Sequence, residues 1–296
     1  MASRINRPKT RRGKRHLEER APKVIENDKT ALIIKGGKTS ELVSNVLADI
    51  YALKKPFAQQ LKRRNPFHLF EDEVPLEQFS TKYDASLFVF GSNSKKHPDC
   101  LIFGRLYDFH ILDMVELRIE NYVSSKEFSA PRVVLGAKPC IVLQGTAFES
   151  DTTMKRLGNL MVDWFRGPVV ENIALQGLEL VVSLTSVGDH LLFRVYRTCL
   201  KRSASTFPRV ELLEIGPRID FTLQRTKLAS DSLFKLALKQ PKEIKAKKAK
   251  NTSMDIFGTK LGRIHVGRQD LNSLQTRKMK ALKKSPNKSA SQPEDR

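Results

Sequence analysis

Short apolar runs alternate with helical stripes along the chain. Residues 32–36 (LIIKG) and 141–145 (IVLQG) are apolar runs that end in glycine, which is typical of a buried strand followed by a turn. Thr39 and Ser40 follow the first run, and residues 151–153 (DTT) follow the second. Their side-chain oxygens can accept the free N–H groups at a helix start. The pattern therefore predicts a strand, a turn and a helix at two places in the chain.

Helical periodicity follows both capping segments. Each predicted helix ends before a proline, at Pro56 and at Pro168, because a helix does not continue comfortably into that residue. The two apolar stripes are Leu42, Val43, Val46, Leu47, Ile50 and Tyr51 in the first helix, and Met154, Leu157, Leu160, Met161, Trp164 and Phe165 in the second.

The repetition continues downstream, where segments rich in β-branched and aromatic residues predict strands. Three pairs occur in the same order, which makes coincidence a poor explanation. The sequence thus predicts an α/β body of two similar halves in tandem. The matched pairs are 86–90 with 179–184, 101–108 with 191–198, and 115–122 with 210–217.

The segment GGKTS at residues 36–40 looks like part of a nucleotide-binding phosphate loop. The full pattern requires a further glycine at the position that Leu32 occupies, and the second copy has QGTAF instead. Too few backbone N–H groups could then converge on a phosphate. The segment is therefore interpreted as a strand-to-helix turn with an N-cap, which argues against an NTPase.

Charge is distributed unevenly along the chain, whose net value is +21. Residues 1–27 carry +6, residues 28–235 carry +4, and residues 236–296 carry +11. This predicts a nearly neutral folded body at 28–235 with a basic tail at each end. The internal repeat divides this body into halves at about 28–130 and 131–235. Such excess positive charge indicates a polyanionic partner.

Enzymatic, metal and membrane chemistry find little support in the sequence. The three cysteines and six histidines form no zinc or catalytic spacing, so no catalytic residue, metal site or cofactor is expected. The adjacent acids at 71–73 are interpreted as a solvated loop or a contact for a basic partner. Without an apolar signal-peptide core or a run of about 20 apolar residues, we expect a soluble intracellular protein that does not cross a membrane.

The basic clusters are the candidate RNA-binding residues, because lysine and arginine bind phosphates and release counterions. Nuclear import alone and simple solvation are the alternatives for the tails, and ordinary surface charge on loops is the alternative for the body. The candidates are Arg11, Arg12, Lys14 and Arg15 in the first tail; Lys62, Arg63, Arg64, Lys95 and Lys96 on predicted loops of the body; and Lys245, Lys247, Lys248, Lys250, Lys260, Arg263, Arg268, Arg277, Lys278 and Lys280 in the second tail.

The second tail is not uniformly polar. Residues 254–271 interleave apolar and basic side chains, which suggests an extended strip that becomes ordered on a partner or in an RNA groove. Leu271, Leu274, Met279 and Leu282 have helical spacing and suggest a basic amphipathic helix. Binding to a membrane surface is the generic alternative for such a helix.

Several segments together resemble the Brix-domain family, and the likeness runs through nearly the whole chain. The segments that carry it are ALKKPFAQQLKRRNPFHLFED, FGSNSKKHPDCLIFGRLYDFHILDMVEL, GAKPCIVLQG and FRGP in the body, with PKTRRGKRHLEERAPK, FGTKLGRIHVGRQDL and LQTRKMKALKK in the tails.

This resemblance implies a fold and a role that composition does not show. It implies two α/β halves, each like the anticodon-binding domain of some tRNA synthetases, with basic extended or helical tails. It also implies a non-enzymatic assembly factor of the large ribosomal subunit in the nucleolus. The implied partners are the regulator of ribosome synthesis protein in a heterodimer, 5S rRNA with its two companion ribosomal proteins, and large-subunit rRNA in pre-ribosomal particles. A nuclear protein scaffold whose tails serve only import is the alternative.

Overall fold

A computed structural model describes residues 10–20, 27–170, 172–203, 207–239, 250–264 and 266–267. The helices are α1 (Arg11–Arg20), α2 (Glu41–Lys54), α3 (Val74–Tyr83), α4 (Ala147–Ser150), α5 (Thr152–Phe165) and α6 (Asp231–Ala237). The strands are β1 (Ala31–Gly36), β2 (Ala58–Asn65), β3 (Leu87–Ser92), β4 (Cys100–Tyr107), β5 (His110–Val123), β6 (Pro139–Gln144), β7 (Leu180–Val187), β8 (His190–Lys201), β9 (Arg209–Glu214), β10 (Arg218–Lys227), β11 (Thr252–Met254) and β12 (Lys260–Gly262).

Strands β1 to β10 form one sheet in the order β2-β1-β3-β4-β5-β10-β8-β7-β6, with β9 paired to β8. Each half contains a parallel pair, β1 with β3 or β6 with β7, followed inward by antiparallel strands. In the first half, β2 lies outside this pair and runs parallel to β1. The halves meet where β5 pairs antiparallel with β10. This confirms the predicted α/β fold of two similar halves. The predicted boundary near residue 130 stays a prediction; the first half's strands end at Val123 and the second half's begin at Pro139.

One of the three matched segment pairs was displaced in the prediction. Residues 115–122 lie in β5, whose counterpart at the centre of the sheet is β10 rather than 210–217. Both β9 and β10 run antiparallel to β8, one after the other, and the break between them falls at Gly216 and Pro217. A single strand of the first half thus corresponds to an interrupted strand of the second, which the short VEL match could not reveal.

Both predicted helix starts are confirmed. Ser40 is the N-cap of α2, and its hydroxyl accepts the backbone N–H of Val43 at 3.2 Å. Asp151 caps α5 by accepting the backbone N–H groups of Thr153 and Met154. These side chains satisfy donors that the first helical turn leaves free. The GGKTS segment is therefore a strand-to-helix turn, as interpreted from the sequence.

The two faces of the sheet are covered differently. Helices α2 and α5 pack on one face, where Trp164 lies edge-on to Phe103 with ring centroids 5.4 Å apart. On the other face, Leu76 of α3 packs with the first half's Phe88 and Phe90 in a separate buried cluster. On this other face, no second-half side chain belongs to either buried cluster. Among the described residues, a helix therefore covers this face in the first half but not in the second.

A buried ionic network joins β4, β5 and α5. The Arg105 guanidinium donates to Asp113 (Nε to Oδ2, 2.8 Å), to Asp163 (Nη1 to Oδ2, 2.8 Å) and to Asn159 (2.7 Å). Lys29 also donates to Asp163 at 2.8 Å. Because Asn159 and Asp163 belong to α5 while Arg105 belongs to β4, the network ties the second half's helix to the first half's strands. Arg105 and Asp113 are both almost fully buried.

Candidate nucleic-acid interface

A large cleft opens beside the carboxyl ends of β1, β2 and β3. These strands are parallel, so the segments that follow them emerge at the same edge of the sheet. The cleft has a volume of about 1320 Å³ and is lined by residues 36–39 after β1, by Arg64 and residues 66–71 around the end of β2, and by residues 92–98 after β3. The topology thus brings three segments that are distant in sequence to one site.

Besides Arg225, which pairs with Glu116, four exposed cations line this cleft: Lys38, Arg64, Lys95 and Lys96. We call them the cleft cations. Two acids, Glu71 and Glu116, also line it, but Arg225 donates to both carboxylate oxygens of Glu116, at 2.6 and 3.1 Å. The balance of charge around the opening is therefore positive, as phosphate binding requires.

Sequence reasoning missed Lys38. It set this lysine aside with the incomplete phosphate-loop pattern, yet the turn after β1 carries Lys38 into the cleft beside the β3–β4 turn. The backbone N–H of Asn93 donates to the Lys38 carbonyl at 2.9 Å, which holds the two segments together. Only the parallel pairing of β1 and β3 could have indicated this proximity.

The body's two predicted basic loops have different outcomes. Lys95 and Lys96 do lie in a turn, between β3 and β4. Lys62, Arg63 and Arg64 do not; they belong to the edge strand β2, and this prediction was wrong. Few apolar residues mark β2 in the sequence, because its pairing with β1 rather than burial defines it. Lys62 and Arg63 have no partners in the β1 register, which passes from Leu61 to Arg64, so they form a bulge at the sheet edge.

Aromatic side chains form one wall of the cleft. Phe67 packs on Phe90 with ring centroids 5.1 Å apart, and the Arg225 guanidinium lies 4.2 Å from the ring centroid of Phe70. Phe67 and Phe70 remain partly exposed. The wall is thus fixed by packing from beneath and offers apolar surface next to the cleft cations.

A group of potential metal ligands adjoins the cleft, although no spacing in the sequence indicated it. Donor atoms of His97, Cys100 and Glu116 lie within 4.8 Å of one another. Burial raises the pKa of the Cys100 thiol to about 12, and the neighbouring Glu116 carboxylate adds to this rise. Since Arg225 already neutralises Glu116, the arrangement is that of a buried carboxylate paired with a partly exposed guanidinium, beside a protonated thiol.

Two of the three acidic residues at 71–73, Asp72 and Glu73, make local contacts near the start of α3. The Asp72 carboxylate accepts the backbone N–H of Val74 at 3.1 Å, and Glu73 forms an ion pair with Lys227. Asp72 and Glu73 are thus committed to local contacts.

The tail candidates fall into three groups. The first cluster is exposed on α1, where Lys14 pairs with Glu18 at 3.8 Å. In a second compact unit (245–296), three exposed basic residues lie in or next to the β11–β12 hairpin. The α1 residues are Arg11, Arg12, Lys14 and Arg15; the hairpin residues are Lys250, Lys260 and Arg263; and Lys245, Lys247, Lys248, Arg268, Arg277, Lys278, Lys280 and the predicted amphipathic helix lie outside the described residues.

The uncovered face of the second half is a separate candidate surface, which we call the open face. Strand alternation places Leu192 and Tyr196 of β8 on it, opposite the buried Leu191, Phe193 and Val195. The neighbouring strands add Val181 of β7, Val142 of β6 and the exposed Val210 and Leu212 of β9. Within the residues that the structure describes, β6 ends the sheet path and pairs with β7 alone.

No helix among the described residues is long and apolar enough to cross a bilayer.

Comparison with known proteins identifies the family. Residues 36–225 match the model of the Brix domain. The chain is 54% identical over 284 residues to the ribosome production factor 2 homolog of Caenorhabditis elegans, covering 96% of each protein. It is 49% identical to the Homo sapiens homolog, covering 88% of this chain and 85% of that protein. It is 40% identical to the ribosome biogenesis protein RPF2 of Saccharomyces cerevisiae, covering 94% of this chain and 84% of that protein.

A crystal structure of a probable ribosomal biogenesis protein from Aeropyrum pernix K1 aligns with a TM-score of 0.43 and 11% identity, covering 68% of this chain and 99% of that one. The family assignment rests instead on the sequence matches, which extend through the body and both tails. The chain belongs to the Brix-domain family and, within it, to the ribosome production factor 2 proteins, a group of ribosome biogenesis factors.

Proposed function

We propose that this ribosome biogenesis factor is a non-enzymatic assembly factor of the large ribosomal subunit that binds rRNA in the cleft beside β1, β2 and β3. The observation that carries the proposal is the convergence of the cleft cations from three separate segments. A helical RNA presents phosphates and 2′-hydroxyls more readily than base edges, so the cleft would recognise shape and backbone rather than base sequence.

The proposed RNA is 5S rRNA, carried with its two companion ribosomal proteins into pre-ribosomal particles in the nucleolus. In this proposal the α1 cations and the bulge cations Lys62 and Arg63 extend the positive surface available to the RNA backbone. Association in this form supports large-subunit rRNA maturation by holding components together, without a chemical step.

The proposed protein partner is the regulator of ribosome synthesis protein, bound at the open face. The internal repeat supports this placement. In the first half, β2 extends the sheet and α3 covers the corresponding face. In the second half the sheet path ends at β6, and no helix of the described part of the chain lies over the half-buried Leu192 and Tyr196. A partner that supplies an apolar helix, with or without a strand along β6, would bury this face.

The RNA proposal is tested by recovering 5S rRNA with the tagged full chain from cells. A cleft variant carries Lys38→Gln, Arg64→Gln, Lys95→Gln and Lys96→Gln. A charge-matched control carries Lys126→Gln, Lys155→Gln, Arg166→Gln and Lys235→Gln, which are exposed positions outside the cleft. We expect at least tenfold less 5S rRNA with the cleft variant and normal recovery with the control. Equal recovery with both variants would contradict the proposal.

The partner proposal is tested by co-expression with the regulator of ribosome synthesis protein. Leu192→Glu, Tyr196→Glu and the more exposed Leu212→Glu introduce charge on the open face, while Asn45→Glu and Ala48→Glu place charge on the exposed side of α2. We expect co-purification to fail for folded open-face variants and to persist for the α2 variants. Full co-purification of all five variants would rule out the open face as the docking site.

The rival function is a protein scaffold whose basic tails serve only nuclear import. Deletion of both tails together with an added import signal separates the two. The scaffold predicts unchanged particle binding by the tail-deleted chain and by the cleft variant, whereas the proposed function predicts that the cleft variant loses RNA even when it reaches the nucleus.

A further inference from the structure

The second compact unit contains a short hairpin that sequence analysis expected to be an extended strip. Thr252–Met254 pairs antiparallel with Lys260–Gly262. Backbone hydrogen bonds from Asp255 N–H to the Thr259 carbonyl and from Gly258 N–H to the Asp255 carbonyl close the turn, and Gly258 has a φ of +79°, which glycine adopts readily. The hairpin is thus defined by its turn rather than by a packed face.

Its side chains present an unusual concentration of exposed apolar surface. Phe257 and Ile256, at the tip, are 90% and 87% exposed. Met254 precedes the turn and Leu261 follows it, while Ile264 and Val266 extend the series beyond β12, all with more than half of their surface exposed. Isolated two-stranded hairpins are marginal in water, so strands of this length require a further surface to hold them.

The composition of the hairpin favours a protein surface over RNA. Of its six exposed apolar side chains, Phe257 alone has an aromatic ring that could stack on a base, while the other five neither pair with phosphates nor stack on bases. Those five are Met254, Ile256, Leu261, Ile264 and Val266. An exposed apolar cluster rimmed by charge is typical of a protein contact. The rim is basic, since Lys250, Lys260 and Arg263 outnumber the single described acid, Asp255.

We propose that the hairpin at 250–264 docks in an apolar groove of a protein component of the pre-ribosomal particle, and that acidic residues rim this groove. The tip residues Ile256 and Phe257 fill the groove, and the three cations pair with the acidic rim. This assigns Lys250, Lys260 and Arg263 to a protein contact instead of the RNA contact predicted from sequence.

The first test places a photo-crosslinking amino acid, p-benzoylphenylalanine, at position 257 of the tagged full chain in purified pre-ribosomal particles. A second chain carries it at position 134, another exposed apolar position, as the control. We expect position 257 to form an adduct that resists RNase and that is absent from the position-134 control. The partner peptide in this adduct should be flanked by aspartate or glutamate. Adducts only with RNA, no adduct, or a crosslinked peptide without acidic neighbours would overturn the proposal.

The second test compares retention of full-length variants on purified particles. The tip variant carries Ile256→Asp and Phe257→Asp and should reduce retention at least tenfold. The charge variant carries Lys250→Glu, Lys260→Glu and Arg263→Glu, and its retention should fall most strongly at low salt, where charge interactions are least screened. Val134→Asp is the control and should bind like the unaltered chain. Retention within twofold of the unaltered chain for the tip variant would refute the docking role. Because the cleft is unaltered, these variants should keep their affinity for isolated 5S rRNA, so failure here is distinct from failure of the proposed RNA site.

Discussion

Replacing Arg105 with methionine should destabilise the body strongly, because it leaves the buried Asp113 carboxylate without its guanidinium partner. Asp113 is 1% exposed and would lose both guanidinium bonds, although its Oδ1 would keep the backbone N–H of Ala229 at 2.8 Å. Removing one partner of a buried ion pair costs about 3–5 kcal/mol. At about 2–4 °C per kcal/mol for a domain of this size, the melting temperature should fall by roughly 6–20 °C.

The assay is chemical and thermal unfolding of the full chain, with Arg218→Met as the matched control. Arg218 pairs with Glu214 on the surface and is nearly half exposed, so its loss should cost less than about 1 kcal/mol. If Arg105→Met lowers the free energy of unfolding by no more than this control does, the buried Asp113 charge does not depend on Arg105 for its stability.

The sign of a second substitution tests the cause. Asp113→Asn should destabilise the unaltered protein, because it weakens the pair with Arg105. In the Arg105→Met background it should instead restore about 1–2 kcal/mol by removing the unpaired charge. A loss of stability in both backgrounds would refute the reasoning.

Three further outcomes follow from individual contacts. Gly104→Ala should cost about 1–3 kcal/mol in a thermal melt, because its Cβ would lie 2.2 Å from the Phe88 ring and 2.8 Å from the Asp113 carbonyl, whereas Gly177→Ala, with open space around it, should be nearly neutral. Burial alone would raise the pKa of Asp163, but Lys29 and Arg105 outweigh it and hold the pKa of this carboxyl below its ordinary value. Its stabilisation is therefore complete above the unfolded pKa and is lost as pH falls through the folded pKa. Asp163→Asn should flatten the acid limb of the unfolding free energy, and an unchanged limb would refute this. At pH 8, maleimide should label the exposed Cys140 rapidly and the buried Cys100 only on unfolding, since burial raises the Cys100 pKa to about 12; rapid modification of both would contradict the packing.

The repeated strand, turn and helix could be predicted from sequence because local signals agree there. Ser40 and Asp151 cap helices at the residues where apolar periodicity begins, and the helices end before their prolines. Strand β2 could not be predicted in the same way. Its residues alternate weakly and none of them is fully buried, so only pairing with the buried β1 makes it a strand.

The cleft shows why a site is harder to predict than its residues. Lys95 and Lys96 were recognisable as a basic turn, but nothing local places them beside Lys38. Their proximity depends on β1 and β3 being parallel neighbours, a non-local property of the sheet. The same holds for His97, Cys100 and Glu116, which come together only when β4 pairs with β5.

The tail hairpin illustrates a different limit. The sequence showed apolar side chains interleaved with basic ones in this segment, which is unusual for a solvated arm. The structure places two of these apolar side chains, Ile256 and Phe257, almost fully exposed at the hairpin tip. Its conformation depends on a five-residue connection containing Gly258, where glycine's access to positive φ closes the turn.

The most direct test of the central claim measures 5S rRNA binding by the full chain, the cleft variant and its charge-matched control over a salt series. If the four cleft cations contact phosphates, the slope of log affinity against log salt should be shallower by about 3 for the cleft variant, from about 0.7–0.9 per contact, and unchanged for the control. Deletion of the tails should leave this difference between variant and control intact. Equal slopes for the cleft variant and the control would show that the cleft does not bind the RNA backbone.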